Sequence, residues 1–290
     1  MLQYFSNDVD QMKMTKVQYF SIAICFLMNV LDGMDVLVVS YCAPMIAEDL
    51  SLGPKALGFV FSAGLIGMAI GAIFLAPLAD RFGRKKLILA SALIMGLSVL
   101  LTAFSETILE LIIMRLISGL GIGCMLATTA TLTSENVLNN SKDFWVSLVI
   151  SGYPVGAVVS GYVATAIIPS YGWESMFVLA GLTTLITIPL IFFFVSESPQ
   201  FYLKKQPDGA LEKVNRILIK MNFKPLDNLP EIGLIKSNNS LVSQLFSNKY
   251  KISTLQLWAA LFFAFGCLYF LISWIPKLAT DAGLSIELAI

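Results

Sequence analysis

Apolar stretches of roughly bilayer-crossing length recur along the chain at 17–42, 57–79, 87–104, 108–132, 145–168, 173–195 and 255–275. Short polar turns separate them, apart from one long polar interval at 196–254. A helix needs about 20 apolar residues to cross a hydrocarbon core. The pattern therefore predicts seven spanning helices, with an eighth beginning at Ile286. The expected class is an all-α polytopic membrane protein. Its expected parts are an N-terminal segment (1–16), a six-helix bundle (17–195), an inter-half loop (196–254) and the incomplete start of a second bundle (255–290).

Within the long interval, Leu211, Val214, Ile217, Leu218 and Met221 recur at helical spacing opposite Glu212, Lys213, Arg216 and Lys220. This periodicity predicts an amphipathic helix, lying against the bundle or the headgroups or serving as a solvated linker. Small residues recur at intervals of four inside the spans: Ala63, Gly67 and Gly71; Gly119 and Gly123; Gly152, Gly156 and Ser160. Such stripes let helix backbones approach closely where lipid removes the hydrophobic drive for association.

Composition agrees with the pattern. Hydrophobic residues make up 57% of the 290 residues and charged ones 13%, about half the charge of a soluble domain, and the mean hydropathy is +0.80. Lys13, Lys16, Arg81, Arg84, Lys85, Lys86, Lys142 and the basic residues of 196–254 fall on one side if the N-terminus is cytoplasmic, leaving Lys55 and Lys277 for the other. That asymmetry orients the chain with its N-terminus inside a plasma or bacterial inner membrane. There is no histidine, and Cys25, Cys42, Cys124 and Cys267 have no CxxC spacing. No metal, cofactor or disulfide is expected, and the expected partners are the lipid bilayer and small solutes, with no nucleic acid.

The candidate chemistry sits in the first and fourth spans. Asp32 and Asp35 lie inside an apolar run, where an ionisable group is costly and marks a proton, ion or substrate path. Asn29, Asp32 and Asp35 are three apart and share one helix face. Counting ~1.5 Å per residue puts Asp32 near the midplane, with Asp35 and Arg115 at similar depths. Arg115 could pair with Asp35, or receive a substrate carboxylate in the two-point contact that guanidinium favours. Asp32 and Asp35 are the proton-coupling candidates, and Arg115 and Asn29 the substrate-binding ones. Tyr269 joins the latter, because with Ser273 it could face a cavity in the ring-rich seventh span. An intramembrane hydrolase using the two Asp as an acid pair is not expected, since near neighbours on one helix do not flank a scissile bond.

Between the second and third spans stands Ala76-Pro77-Leu78-Ala79-Asp80-Arg81-Phe82-Gly83-Arg84-Lys85. It resembles the cytoplasmic loop signature of the major facilitator superfamily, departing at Ala76 and Ile88. Leu111, Arg115, Gly119 and Gly121 resemble that superfamily's fourth-span pattern, and Ser196-Glu197-Ser198-Pro199 resembles its signature after the sixth span. Asp-Gly-x-Asp at 32–35, the stretch Arg115–Glu135 and Ser273-Trp274-Ile275-Pro276 narrow the resemblance to the aromatic acid:proton symporters. The resemblance implies a major facilitator fold stopping after the seventh helix, and a secondary transporter, or the N-terminal portion of one, importing aromatic or related organic acids with protons by alternating access. It also implies a conformational role for Asp80, Arg81, Gly83 and Arg84. The alternatives are a nicotinate or sugar carrier of the same superfamily, or a non-transporting remnant that needs a separate C-terminal half. Glu135, at the cytoplasmic end of its helix, is expected to contact the basic loop.

Overall fold

The computed structural model describes residues 14–137, 139–230, 245–247 and 250–285. The first residues of the expected N-terminal segment, the middle of the polar interval and the eighth span expected at Ile286 lie outside the described residues. Among the described residues the regular structure is helical: α1 (Lys16–Asp49), α2 (Pro54–Ile70), α3 (Ala79–Phe82), α4 (Arg84–Thr102), α5 (Ile108–Asn136), α6 (Lys142–Tyr171), α7 (Glu174–Phe194), α8 (Pro199–Lys205), α9 (Ala210–Lys220) and α10 (Lys251–Asp281). Seven segments are long and apolar enough to cross a membrane: α1, α2 continued through Phe82, α4, α5, α6, α7 and α10. These coincide with the seven apolar stretches of the sequence. The helices overrun several of those stretches; α1, for example, continues past the expected end near Tyr41 to Asp49. Hydropathy marks the hydrocarbon-embedded part, whereas backbone hydrogen bonding carries a helix on until a turn or cap stops it.

Local signals explain several boundaries. Pro54 opens α2 at the first helical position, where its missing N–H costs nothing. At the start of α5, Thr107 Oγ1 accepts from Glu110 N at 3.3 Å while Glu110 Oε2 accepts from Thr107 N at 3.2 Å, a reciprocal capping box. The second span does not finish as plain α-helix: a π turn covers Gly71–Leu75 and a 3-10 turn Ala76–Leu78. Pro77 cannot donate to the ladder, which accounts for the rearrangement there.

The bundle is organised around α1. Of its most apolar stretch 78% is buried, against 0% for α10. It packs along α6 and α7 and reaches α5, α2 and α10. The close approaches run through the small-residue stripes. A Cβ added at Gly156 would lie 1.8 Å from Val30 O, at Gly33 2.0 Å from Tyr153 O, and at Gly123 2.0 Å from Met68 O. At such crossings one helix rests on the backbone of the other, so α1 is locked to α6, and α2 to α5, in a single register.

α10 meets the rest of the bundle mainly through its second half. Trp274 packs edge-on against Phe61 with ring centres 5.4 Å apart, and Pro276 is buried. Phe262, Phe263 and Phe265, in its first half, are exposed. Between α2 and the first half of α10 lies an open, mainly apolar cleft of about 1190 Å³.

The amphipathic helix predicted at 211–221 is α9, but its apolar face is spent locally. Val214, Ile217 and Leu218 bury against Leu203 of α8, Met221 and Phe223. Asn215 ties the following turn by donating to Leu226 O at 2.9 Å and accepting from Leu226 N at 2.7 Å. The expected docking on headgroups is replaced by a small polar-faced unit with its own core, because α8 supplies an apolar surface that periodicity in 211–221 could not reveal.

The glycine crossings predict a sharp contrast. Gly156→Val should cost more than the ~1–3 kcal/mol typical of an overpacked core, since the obstacle is the Val30 backbone and not a side chain that can turn aside. Gly266→Ala, with nothing within 4 Å of the added carbon, should leave the melting temperature in detergent unchanged. Equal melting temperatures for both variants would contradict the register-lock reading.

Candidate functional site

Two polar constellations are described inside or at the end of the bundle: α1 and α5 supply the charges of the first, and α3, α4, α5 and the segment after α7 those of the second. In the first, Asn29, Asp32 and Asp35 are all buried on α1, at 0%, 0% and 2% exposure. Three-residue spacing places them on a face turned inward. Arg115, 3% exposed on α5, donates from Nη1 to Asp35 Oδ1 at 2.9 Å, and the same nitrogen lies 3.4 Å from Asp35 O. The helices run in opposite senses with Arg115 and Asp35 at matching depth, and the tight α2–α5 crossing at Gly64, Gly67 and Gly119 fixes α5 beside them.

The guanidinium is only partly used by this pair. Its Nη2 and Nε edge faces Gly64, where an added Cβ would stand 3.5 and 3.7 Å away. Nε has no hydrogen-bond partner among the described residues. Arg115 also lines a narrow cavity with Val36, Phe61, Met68, Tyr269 and Ser273, continuous in its lining with the α2–α10 cleft. Nη1 alone carries the ion pair with Asp35, whereas a guanidinium can hold a carboxylate through two nitrogens at once.

Asn29 is anchored, its Nδ2 donating to Cys25 O at 2.9 Å and to Thr129 Oγ1 at 3.1 Å. Its Oδ1 and both oxygens of Asp32 have no hydrogen-bond partner among the described residues. Tyr269, on α10, has its hydroxyl 3.3 Å from that of Tyr153 on α6. Thus the structure brings Asp35, Arg115 and Tyr269 to one region. Asn29 sits two turns along α1 from Asp35 and is tied to α5 rather than to the cavity lined by Arg115.

The second constellation is at the opposite end of α5. Arg84, 3% exposed, holds Glu135 through two contacts, Nη2 to Oε1 at 3.1 Å and Nε to Oε2 at 3.0 Å. It also donates to Asp80 Oδ1 at 2.5 Å and to Ala79 O at 3.2 Å. Glu135 contacts the basic loop, as its position implied. Arg81 is exposed and stacks over Phe82 at 5.4 Å from the ring centre; it takes no part in the Arg84 cluster.

Glu197 completes this end. Its carboxylate accepts from the backbone N–H of Arg84 at 2.8 Å, Lys85 at 3.2 Å and Ser198 at 2.9 Å. It therefore caps the N-terminus of α4, where the backbone donors of Arg84 and Lys85 and the helix dipole favour a negative charge. Gly83 makes the fit possible: its φ is +105°, and a Cβ there would stand 2.4 Å from Glu197 Oε2. Burial, opposed by these backbone donors and by Arg84, leaves the Glu197 carboxyl above its ordinary range. Sequence reasoning had quoted Glu197 in a motif without assigning it a role; the signal was its place directly before Ser198, which caps α8 by accepting from Gln200 N at 3.1 Å. Tyr153 was passed over, and a tyrosine between Gly152 and Pro154 in an apolar helix gives no local signal.

A lipid-spanning helical bundle that carries a buried Arg–Asp pair beside a cleft, and a charge cluster closing its other end, has the architecture of a membrane carrier. The chain belongs to the Major Facilitator Superfamily, whose family model matches residues 25–290. It is 31% identical over 283 residues to a gallate transporter of Pseudomonas putida, covering 97% of this chain and 63% of that protein. It is 32% identical over 287 residues to the 4-hydroxybenzoate transporter PcaK of Acinetobacter baylyi, covering 97% and 62% respectively. The chain thus spans less than two thirds of the length of these curated relatives. Among solved structures, the partially occluded, inward-open xylose transporter XylE of Escherichia coli superposes with a TM-score of 0.74 at 19% identity, over 94% of this chain and 68% of that one; this shows a shared fold.

The Glu197 cap predicts a pH dependence. Because the folded protein keeps the Glu197 proton to higher pH than the unfolded chain, the residue's contribution to stability is greatest below the ordinary carboxylate range. It falls as pH rises through the raised value. A detergent melting series should show this decline in the unmodified protein and lose it in Glu197→Gln. Identical pH profiles in the two proteins would contradict it.

Proposed function

We propose that the protein is, or forms the N-terminal portion of, a proton-coupled importer of aromatic acids in the plasma or inner membrane, with its N-terminus cytoplasmic. The observation that carries this reading is the half-engaged guanidinium of Arg115, which holds Asp35 by one nitrogen, leaves Nε without a hydrogen-bond partner among the described residues, and lines a narrow cavity with Tyr269. Names of similar proteins support the substrate class: gallate, 4-hydroxybenzoate and benzoate transporters.

Coupling follows from electrostatics. A substrate carboxylate docking on Arg115 competes with Asp35, and a buried carboxylate deprived of its cation is retained most cheaply by taking a proton. Asp32, within electrostatic reach of Asp35 and without a cation of its own, is the second carrier. One negative charge arrives with the substrate and one positive charge with the proton, so the site stays near neutral through the cycle. The Arg84, Glu135, Asp80 and Glu197 cluster serves as a latch that holds α4, α5 and α8 together on the cytoplasmic side while the bundle rocks.

The α2–α10 cleft is the surface on which further helices of a longer carrier would close, whether from the same chain or from a separate C-terminal half.

The test is uptake by cells expressing the full-length protein under an imposed inward proton gradient. A labelled benzoate should accumulate and be displaced by other aromatic acids but not by benzamide or xylose, and Asp32→Asn should abolish accumulation while preserving membrane insertion. Displacement by xylose and not by aromatic acids would favour a sugar carrier. Uphill accumulation by Asp32→Asn would remove Asp32 from the proton path.

A further inference from the structure

Tyr153 has no part in the coupling scheme, yet it is placed at its edge. Its hydroxyl lies 3.3 Å from that of Tyr269, bridging α6 to α10 across the end of the cavity that Arg115 lines. It is also within electrostatic reach of Asp32 and Asp35. The backbone beneath it is fixed, since Gly33 leaves no room for a Cβ against Tyr153 O. The ring is therefore held in place by the α1–α6 crossing, while its partner belongs to the one spanning helix whose apolar stretch is unburied.

The chemistry of the pair is incomplete whichever hydroxyl donates. Each tyrosine hydroxyl has one proton and two lone pairs. Once one proton is committed to the other oxygen, the accepting hydroxyl still has a proton to give, and the donor still has lone pairs to fill. At 3.3 Å the bond is also longer than the ~2.7–2.8 Å preferred for O–H···O. A third hydroxyl that both donates and accepts would satisfy the pair better than the pair satisfies itself. The cavity lining beside Tyr269 is mostly apolar, including Val36, Phe61, Met68 and Ile122. Ser273 lines the same cavity and supplies one further hydroxyl.

We propose that the Tyr153–Tyr269 hydroxyl pair is a specificity element that reads a ring hydroxyl, so that the preferred substrate is a phenolic acid held by its carboxylate at Arg115 and by its hydroxyl at the two tyrosines. The inference rests on the aromatic-acid reading and sharpens it. An apolar pocket alone distinguishes poorly between a ring and its hydroxylated form. A site with unfilled polar groups rejects the analogue that cannot fill them. Reading the hydroxyl from α6 and α10 together also means that a phenolic acid bridges these two helices at a point where benzoate does not.

Equilibrium binding of 4-hydroxybenzoate and benzoate to the full-length protein tests this. The unmodified protein should bind 4-hydroxybenzoate about tenfold more tightly, the worth of a single well-placed hydrogen bond. Tyr153→Phe and Tyr269→Phe should each reduce that ratio to about twofold or less, and Tyr153→Phe should do so by weakening 4-hydroxybenzoate more than benzoate. Equal weakening of both ligands would assign Tyr153 a merely structural role and overturn the proposal, as would an undiminished preference in both variants. Binding of neither acid to the unmodified protein would defeat the aromatic-acid reading itself. Tight binding of both acids without preference would defeat only the specificity element.

Discussion

At membrane depth a charge needs a partner from within the protein, and the Arg115–Asp35 contact at 2.9 Å is where this chain meets that requirement. The two carboxylates on α1 and the guanidinium on α5 could not be tolerated on lipid-facing surfaces. Their pairing therefore dictates which face of each helix turns inward. The small residues follow from that choice. α5 can reach α1 only because Gly119 and Gly123 let it settle on the α2 backbone, and α6 can lie along α1 only because Gly152 and Gly156 do the same against Phe26 and Val30. Gly64 has a different task, since its missing side chain lets the guanidinium of Arg115 pack directly beside the α2 backbone.

The two ends of α5 carry opposite solutions to the same problem. Near its start, Arg115 is left partly unsatisfied beside a cleft, which suits a group that must exchange one carboxylate for another. At its far end, Glu135 faces Arg84, whose own helix start is capped by Glu197. Nearly all the polar groups there are paired, which suits a part that holds still or releases as a unit. Both clusters are carried by one continuous helix, α5.

Much of this was legible in the sequence because its causes are local. Hydropathy located the seven spans, periodicity found α9, and charge at an apolar position singled out Asp32, Asp35 and Arg115. Helical rise even placed Arg115 and Asp35 at one depth. Depth, however, does not fix rotation, so the choice between ion pair and free anchor stayed open until the structure showed a guanidinium engaged on one side only. Glu197 and Tyr153 were obscure for a related reason. Their partners are backbone N–H groups of residues 84 and 85 and a hydroxyl 116 residues away, and no pattern near either residue encodes those distances. The face of α9 was misjudged because the surface that covers it comes from α8, a separate helix.

The central claim is that a substrate carboxylate and Asp35 compete for Arg115, and that the displaced carboxylate takes up a proton. Counting protons on binding tests it without requiring transport. Calorimetric titration of the detergent-purified full-length protein with an aromatic acid, repeated in buffers of different ionisation enthalpy, should report uptake of about one proton per anion bound, and Asp35→Asn should bring that count toward zero while binding persists. Undiminished binding in the unmodified protein with no proton taken up would contradict the exchange at Arg115.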